Sequence, residues 1–142
     1  MKTTVLLFLT LFLANECETK LQDVDSVQVE YVAYSRGFYQ KMQIKNKTFR
    51  LFRDSNSIEN PSFQPISNSA WKQIVLEFKK LNLAEIQHLK APTKQRFHDG
   101  AAIAKVTITY KGKIYQSPDF DYGVPPVEIQ KFVETINSLI KE

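Results

Sequence analysis

An alternation of apolar and polar residues opens the first regular part of the chain. It begins at Val27 and continues to Ala33, and it is typical of a half-buried β-strand. A turn at Ser35 to Gly37 leads to a second alternating run, Phe38 to Lys45, because glycine gives the backbone the freedom that a tight turn needs. The pattern therefore predicts two antiparallel strands joined by a short hairpin.

A third strand is predicted from Thr48 to Arg53, after a two-residue turn at Asn46-Lys47. In this register Ile44 faces Phe49, and Met42 faces Leu51 in the same way. All four apolar side chains then lie on one side of the sheet, as a register fixed by burial requires. The first three strands are therefore predicted to form a meander.

Helical periodicity follows a polar, proline-containing loop from Asp54 to Pro65. Ser67 or Ser69 can cap the first helix. Its apolar stripe comprises Trp71, Ile74, Val75, Phe78 and Leu81. A second helix is predicted from about Pro125, and its stripe comprises Ile129, Phe132, Val133, Ile136 and Ile140.

Between the helices, Leu83 to Gly100 reads as an extended loop, and a hairpin follows around Lys111-Gly112, with strands Ala101 to Tyr110 and Lys113 to Ser117. The predicted fold class is α+β, in the order βββ-α-ββ-α: a three-stranded meander plus a hairpin in one antiparallel sheet, with two helices on one face. The predicted core comprises Met42, Leu51, Trp71, Phe78, Val106, Ile108, Phe132 and Ile136.

Composition supports a folded chain. The 142 residues are 43% hydrophobic and 24% charged, which suits one globular domain and argues against wholesale disorder. The net charge of +4 permits only weak attraction to anionic surfaces.

The N-terminus has the features of a secretory signal. One lysine precedes an apolar run, Val5 to Leu13, that is too short to span a bilayer. The only cysteine, Cys17, follows this run, where bacterial lipoproteins carry a cysteine that is lipidated and becomes the new N-terminus. Glu16 stands where a small residue is usual, so cleavage after Thr19 with plain secretion is the alternative.

On the lipoprotein interpretation, residues 1–16 are a signal peptide, residues 17–26 a tether and residues 27–142 a single domain. Lipidation also accounts for a lone thiol in an oxidising compartment, since it cannot form an internal disulfide. The expected location is the cell envelope, with the protein anchored to a membrane by lipid. A secreted or soluble periplasmic protein is the alternative.

Candidate chemistry converges at one end of the predicted sheet. With Lys111-Gly112 as the turn, Ala104 faces Asp119 and Ala102 faces Asp121. The segments "RFHDG" and "DFDYG" then meet beside the start of the last helix, whose N-terminus is partly positive. The possible ligand or metal residues are Arg96, His98, Asp99, Asp119, Asp121 and Tyr122. Three carboxylates and an imidazole could hold a divalent metal or perform acid–base chemistry.

A structural interpretation of these residues is favoured over the catalytic one. Asp99-Gly100 is an ordinary turn pair, and Asp121 can accept N–H groups that the strand end and the helix start leave open. Strict alternation would bury Asp119 and Asp121, which is costly for unpaired carboxylates. We therefore expect a break in the strand at Ser117-Pro118 that turns Phe120 inward instead.

No motif predicts a catalytic nucleophile, a zinc site or a phosphate-binding loop, and we expect no cofactor. A basic stretch from Arg36 to Arg53 contains no acidic residue. A secreted chain rarely meets nucleic acid, so an anionic polymer or a phospholipid surface is the better partner for this stretch. Lysine and arginine on an exposed sheet face also simply maintain solubility.

Four segments of the chain carry a family resemblance: "YSRGFYQKMQI", "SNSAWKQIVLEFKKLNL", "APTKQRFHDGAAIAKVTITYKGKIYQ", and "FDYGVPP" followed by a helix. Together they resemble a group of small, uncharacterised envelope lipoproteins of Gram-negative bacteria, which are proteins with a domain of unknown function. The resemblance spans about residues 27–140, and "DYGVPP" with its helix is the most specific part. Related members often carry a cysteine pair in the first turn, which Ser35-Arg36-Gly37 lacks. The resemblance implies an envelope location and one compact domain, and it implies no activity.

Three functions follow as expectations. The first is a non-enzymatic envelope protein, lipid-anchored, that interacts with an envelope protein or an anionic polymer. The second is a small metal-dependent enzyme or hydrolase that uses Asp99, Asp119, Asp121 and His98. The third is a secreted inhibitor or ligand-binding module that uses the basic sheet face or the long loops.

Overall fold

Antiparallel strand pairing organises the computed structural model, which describes residues 24, 26–55 and 61–141. Within these ranges seven strands form one sheet in the order β4-β3-β2-β1-β5-β6, and β7 also pairs with β5. The strands are β1 (Gln28–Ser35), β2 (Phe38–Lys45), β3 (Thr48–Phe52), β4 (Ser62–Pro65), β5 (Ile103–Tyr110), β6 (Lys113–Gln116) and β7 (Phe120–Asp121).

Helices lie on one face of this sheet. The α-helices are α1 (Asn68–Phe78) and α2 (Val127–Asn137), and short 3₁₀ helices span Leu83–His88, Gln95–His98 and Ser138–Lys141. The hydroxyl of Ser67 accepts a hydrogen bond from the N–H of Ala70 at 3.2 Å, which confirms the predicted cap. Pro126 is the residue that caps α2, so the two prolines precede the first helical turn instead of occupying it.

Both predicted two-residue turns are confirmed. Asn46 and Lys47 have φ angles of 51° and 55°, and Lys111 and Gly112 have φ angles of 50° and 75°. Positive φ at both central residues gives the turn a twist that matches the flanking strands. The register of β2 and β3 is also as predicted, since Ile44 lies opposite Phe49.

The core lies between the sheet and the two α-helices. On β1 and β5, alternate residues are buried: Val29, Tyr31, Ala33, Ala104, Val106 and Ile108. They share one apolar cluster with the buried stripes of α1 and α2. All eight residues predicted for the core are buried in it. The helices therefore cover one sheet face, and the side chains of intervening positions project from the other face.

The predicted order βββ-α-ββ-α agrees with the structure in its fold class but omits two of the strands. The strand β4 lies in the segment that we interpreted as a loop, and all four of its side chains are exposed. An exposed edge strand has no buried face, so it leaves no alternation in the sequence. The second hairpin also contributes three strands instead of two, because its return strand is interrupted.

This interruption confirms the break expected at Ser117-Pro118. In β6, Gln116 pairs with Thr107, whereas in β7, Phe120 pairs with Ala104, so one extra residue separates the two registers. The backbone N–H of Ser117 donates to the carbonyl of Val106, and the Ser117 hydroxyl accepts from the Val106 N–H at 3.1 Å. The side chain therefore replaces a ladder bond at the break. As a result, Phe120 turns inward and is completely buried.

The predicted signal peptide, Cys17 and the first part of the tether lie outside the described residues. Val24, which falls in the predicted tether, is buried in the core cluster. Within the described ranges no helix is long and apolar enough to cross a membrane.

Candidate functional site

Asp121 is the most buried of the predicted site residues, with 1% of its surface exposed. It lies opposite Ile103, so its side chain leaves β7 on the face opposite Phe120. The one-residue shift of register means that the predicted pairing of Asp121 with Ala102 is wrong. Instead, the carbonyl of Ala102 accepts a hydrogen bond from the N–H of Tyr122 at 2.9 Å.

Both carboxylate oxygens of Asp121 accept hydrogen bonds from the segment before β5. Oδ2 accepts from the hydroxyl of Thr93 at 2.5 Å and from the N–H of Gln95 at 2.7 Å. Oδ1 accepts from the N–H of Arg96 and from its Nη1, each at 3.0 Å. We expected Asp121 to accept N–H groups at its own strand end and at the start of α2, and this is wrong. The carboxylate instead caps the first turn of the 3₁₀ helix Gln95–His98.

These contacts determine the protonation of Asp121. Burial by itself would raise the pKa of this carboxyl group. The hydrogen bonds from Thr93, from the backbone and guanidinium of Arg96, and from the backbone of Gln95 together outweigh burial and hold the pKa well below its usual range. Asp121 is therefore ionised at neutral pH, which suits a fixed anchor and not a general acid.

Arg96 is the main partner of this carboxylate. Its Nη1 also donates to the carbonyl of Thr93 at 2.8 Å, so one guanidinium links β7 and the loop. Its guanidinium lies 4.4 Å from the centre of the Phe97 ring, a distance typical of a cation–π contact. Phe97 is itself 67% exposed. The arginine is therefore held on several sides.

The other predicted site residues do not join this cluster through any hydrogen bond or ion pair that the structure describes. Asp119 forms an ion pair with Lys105 at 3.2 Å. Tyr122 packs against Phe38, with ring centres 5.4 Å apart. His98 and Asp99 are exposed, and Asp99 ends the 3₁₀ helix with a φ of 53°.

This arrangement offers little for catalysis. No group of three His, Cys, Asp or Glu residues is arranged to hold a metal ion in the part of the chain that the structure describes. The carboxylate of Asp121 already accepts four hydrogen bonds, which fill the acceptor sites that a substrate or metal would need. The loop end is therefore a structural junction in these residues.

A second candidate region lies on the sheet face that the helices leave uncovered, which we call the open face. A groove of about 490 Å³ runs across it, within the range of ~300–1,000 Å³ that is usual for ligand pockets. It is lined by Gln28, Val29, Glu30, Gln43, Ile44, Lys45, Asn46, Thr48, Arg50, Thr107 and Thr109. Val29 and Ile44 are buried on the helix side, so the side chains that face the groove are polar or charged.

Glu30 is the one acidic residue among the described residues of this lining, and it is already paired. Its carboxylate accepts from Nε2 of Gln43 at 3.1 Å and forms an ion pair with Lys41 at 2.9 Å. The net charge of the groove is therefore positive and comes from Lys45 and Arg50. The guanidinium of Arg50 lies 5.8 Å from the ring centre of Phe63 on the neighbouring strand.

The basic stretch Arg36 to Arg53 thus resolves into separate locations. Lys45 and Arg50 line the groove, while Arg36 lies in the first hairpin turn. Thr107 and Thr109, which line the groove from β5, were not predicted from the sequence. The signal that could have identified them is the alternation of β5, where both threonines fall between buried residues.

Comparison with known proteins adds no relative. No protein-family model matches this chain, and no curated protein matches it significantly.

Proposed function

We propose that this chain is a non-enzymatic protein of the cell envelope, anchored by a lipid at Cys17, that acts as an interaction module through its open face. The observation that carries the proposal is the groove on that face, whose lining is polar and basic. An uncovered sheet face of a globular domain needs only scattered polar residues for solubility. A groove lined by two cations and several amides goes beyond that need.

The enzymatic alternative has less support. It requires Asp99, Asp119, Asp121 and His98 to act together. Asp121 is saturated by hydrogen bonds, and Asp119 is paired with Lys105. The remaining two residues are exposed and make no described contact with each other.

The secreted alternative, an inhibitor or ligand-binding module, would bind through the basic sheet face or the long loops, and it also differs in processing. It predicts cleavage after Thr19 and no acyl group. Intact-mass measurement of the mature protein distinguishes the two forms. An acylated N-terminus at Cys17 would support the lipid anchor. A mature protein that begins at Lys20 with no acyl mass would exclude it.

Binding is tested by a pull-down of the mature protein from its own envelope fraction. We expect the wild type to retain an envelope component in a saturable manner, and Lys45→Glu with Arg50→Glu to lose it. Lys72→Glu is the matched control, because Lys72 is exposed on α1, on the helix side of the molecule. Equal retention by all variants would exclude the open face as the binding surface.

A further inference from the structure

We infer that the groove on the open face binds an anionic polysaccharide. The inference rests on the proposed function and specifies the partner of the same surface. Lys45 and Arg50 would hold the acidic groups of the polymer. Gln28, Thr107 and Thr109 would hold its hydroxyl groups.

Directly paired residues of the lining form a row across the sheet: Arg50, Gln43, Glu30 and Thr107. Beyond the lining, the row continues to Phe63 on one side and to Gln116 on the other. Neighbouring strands lie about 4.8 Å apart, so Arg50 and Thr107 are separated by three spacings, or about 14 Å. This length suits a short stretch of an extended polymer better than a single small anion.

The groove carries an excess of positive charge. The carboxylate of Glu30 is paired with Lys41 and Gln43, so the charges of Lys45 and Arg50 are not balanced by it. A cationic groove with polar walls selects an anionic occupant and increases its rate of association. Arginine in particular suits carboxylate groups, because its planar fork can donate two parallel hydrogen bonds.

The third feature of the groove is the chemistry between the cations. Amide and hydroxyl side chains both donate and accept hydrogen bonds, which is the capacity that a sugar hydroxyl requires. Gln28 lies directly opposite Thr109, so an amide and a hydroxyl stand side by side on the groove floor. The two threonines are half-buried, so their orientation is restricted by the neighbouring strands.

Other classes of macromolecule fit the groove less well. An extended peptide pairs with a free strand edge, but this groove crosses the central strands β1 and β2, which are paired on both sides. Phe63, which is 61% exposed and lies against Arg50, is the one aromatic ring in this row of paired positions. A single ring offers one stacking position, whereas surfaces that bind single-stranded nucleic acid or insert into lipid present several aromatic or apolar side chains.

The test measures binding of the full mature chain in detergent to polygalacturonate, an anionic polysaccharide, at two salt concentrations. Uncharged dextran, polyglutamate and vesicles of phosphatidylglycerol are the comparison probes. We expect saturable binding to polygalacturonate, and a Kd raised about tenfold or more by Lys45→Glu or Arg50→Glu. Lys72→Glu, which makes the same charge change on α1, should alter the Kd less than about twofold.

A double variant, Thr107→Val with Thr109→Val, separates recognition of sugar from attraction to charge. Valine has almost the same shape as threonine and favours strands, so the fold and the charge of the groove are kept. We expect it to raise the Kd for polygalacturonate about threefold or more, as loss of hydrogen bonds to sugar hydroxyls would, and to leave weak binding of polyglutamate unchanged.

Several results would overturn the inference. Equal weakening by Lys72→Glu would indicate unspecific attraction, and polyglutamate or vesicles that bind as tightly as polygalacturonate would indicate a peptide or a membrane. Absence of binding to polygalacturonate, while the open face still retains an envelope component in the pull-down, would reject the polysaccharide and keep the proposed function. Failure in both experiments would reject both.

Discussion

The guanidinium of Arg96 lies 3.0 Å from the carboxylate of Asp121, and the arginine side chain is 11% exposed. The two residues stand 25 positions apart in the chain. Their contact joins the irregular segment before β5 to the last strand of the sheet. Removal of one partner from an ion pair of this kind destabilises the protein, because the other charge remains buried without a partner.

The first prediction concerns the stability of the protein at low pH. Asp121→Asn should lower the free energy of unfolding at pH 7, because the amide carries no charge to pair with Arg96 and only its oxygen can accept hydrogen bonds. The pKa of Asp121 is lower in the folded than in the unfolded protein, so its contribution is complete above about pH 4 and is lost as pH falls towards the folded value. Urea denaturation from pH 7 to pH 2 should therefore show that the wild type and the variant converge in acid.

Asp119→Asn is the matched control for this prediction. Its carboxylate is 43% exposed and pairs with Lys105, so the change should cost less than about 1 kcal/mol. If the difference between the wild type and Asp121→Asn stayed constant down to pH 2, the carboxylate would not be the anchor that we describe.

The second prediction concerns metals. Millimolar calcium or zinc should leave the denaturation midpoint of the wild type unchanged, because the oxygens of Asp121 are already occupied by protein donors. The same should hold for Asp99→Ala and Asp121→Ala. Stabilisation of the wild type by metal that disappears in both variants would instead make this end of the sheet a metal site.

The third prediction concerns the strand break. Ser117→Ala removes the hydroxyl that accepts from the N–H of Val106, which is buried. An unsatisfied buried donor should lower the free energy of unfolding by about 1–3 kcal/mol. Ser35→Ala at the exposed end of β1 should change it by less than about 0.5 kcal/mol. Similar values for the two variants in urea denaturation would mean that the Val106 N–H finds another partner.

The fourth prediction concerns the packing of α2. Phe132 is 1% exposed in the core, so Phe132→Ala should cost about 3 kcal/mol or more. Val127→Ala is the control on the same helix, because Val127 is 74% exposed and should cost less than about 0.5 kcal/mol. A loss below about 1 kcal/mol for Phe132→Ala, measured by urea denaturation, would contradict the described packing.

Local patterns in the sequence were sufficient for most of the sheet and both α-helices. Alternation fixed the faces of β1 and β2, and the turn at Asn46-Lys47 set the register of β3, because a one-residue slip would have exposed every buried side chain. The break at Ser117-Pro118 was also predicted, from the cost of burying two unpaired carboxylates. Asp121 is nevertheless buried, because the four hydrogen bonds to its carboxylate offset that cost.

The contacts of the loop end could not be obtained in this way. Nothing in the composition of residues 91–99 indicates that Thr93 and the N–H groups of Gln95 and Arg96 would converge on Asp121. That convergence depends on the path of an irregular segment, whose sequence has no hydrophobic periodicity from which the path could be predicted. The pairing of Thr107 with Glu30 likewise depends on β1 and β5 being neighbours, although these two residues stand 77 positions apart in the chain.

The short strand β4 has a consequence for behaviour at high local concentration, as on a membrane surface. It is the outer strand of the sheet, and an exposed edge is a template on which other chains can add strands and aggregate. Pro61 precedes β4 and Pro65 is its last residue, and proline provides no N–H for such pairing. At the opposite side of the sheet, the 3₁₀ helix Leu83–His88 packs against β6. The two prolines thus limit strand addition at the β4 edge of the sheet. The open face can therefore be exposed without an adjoining edge that recruits other chains.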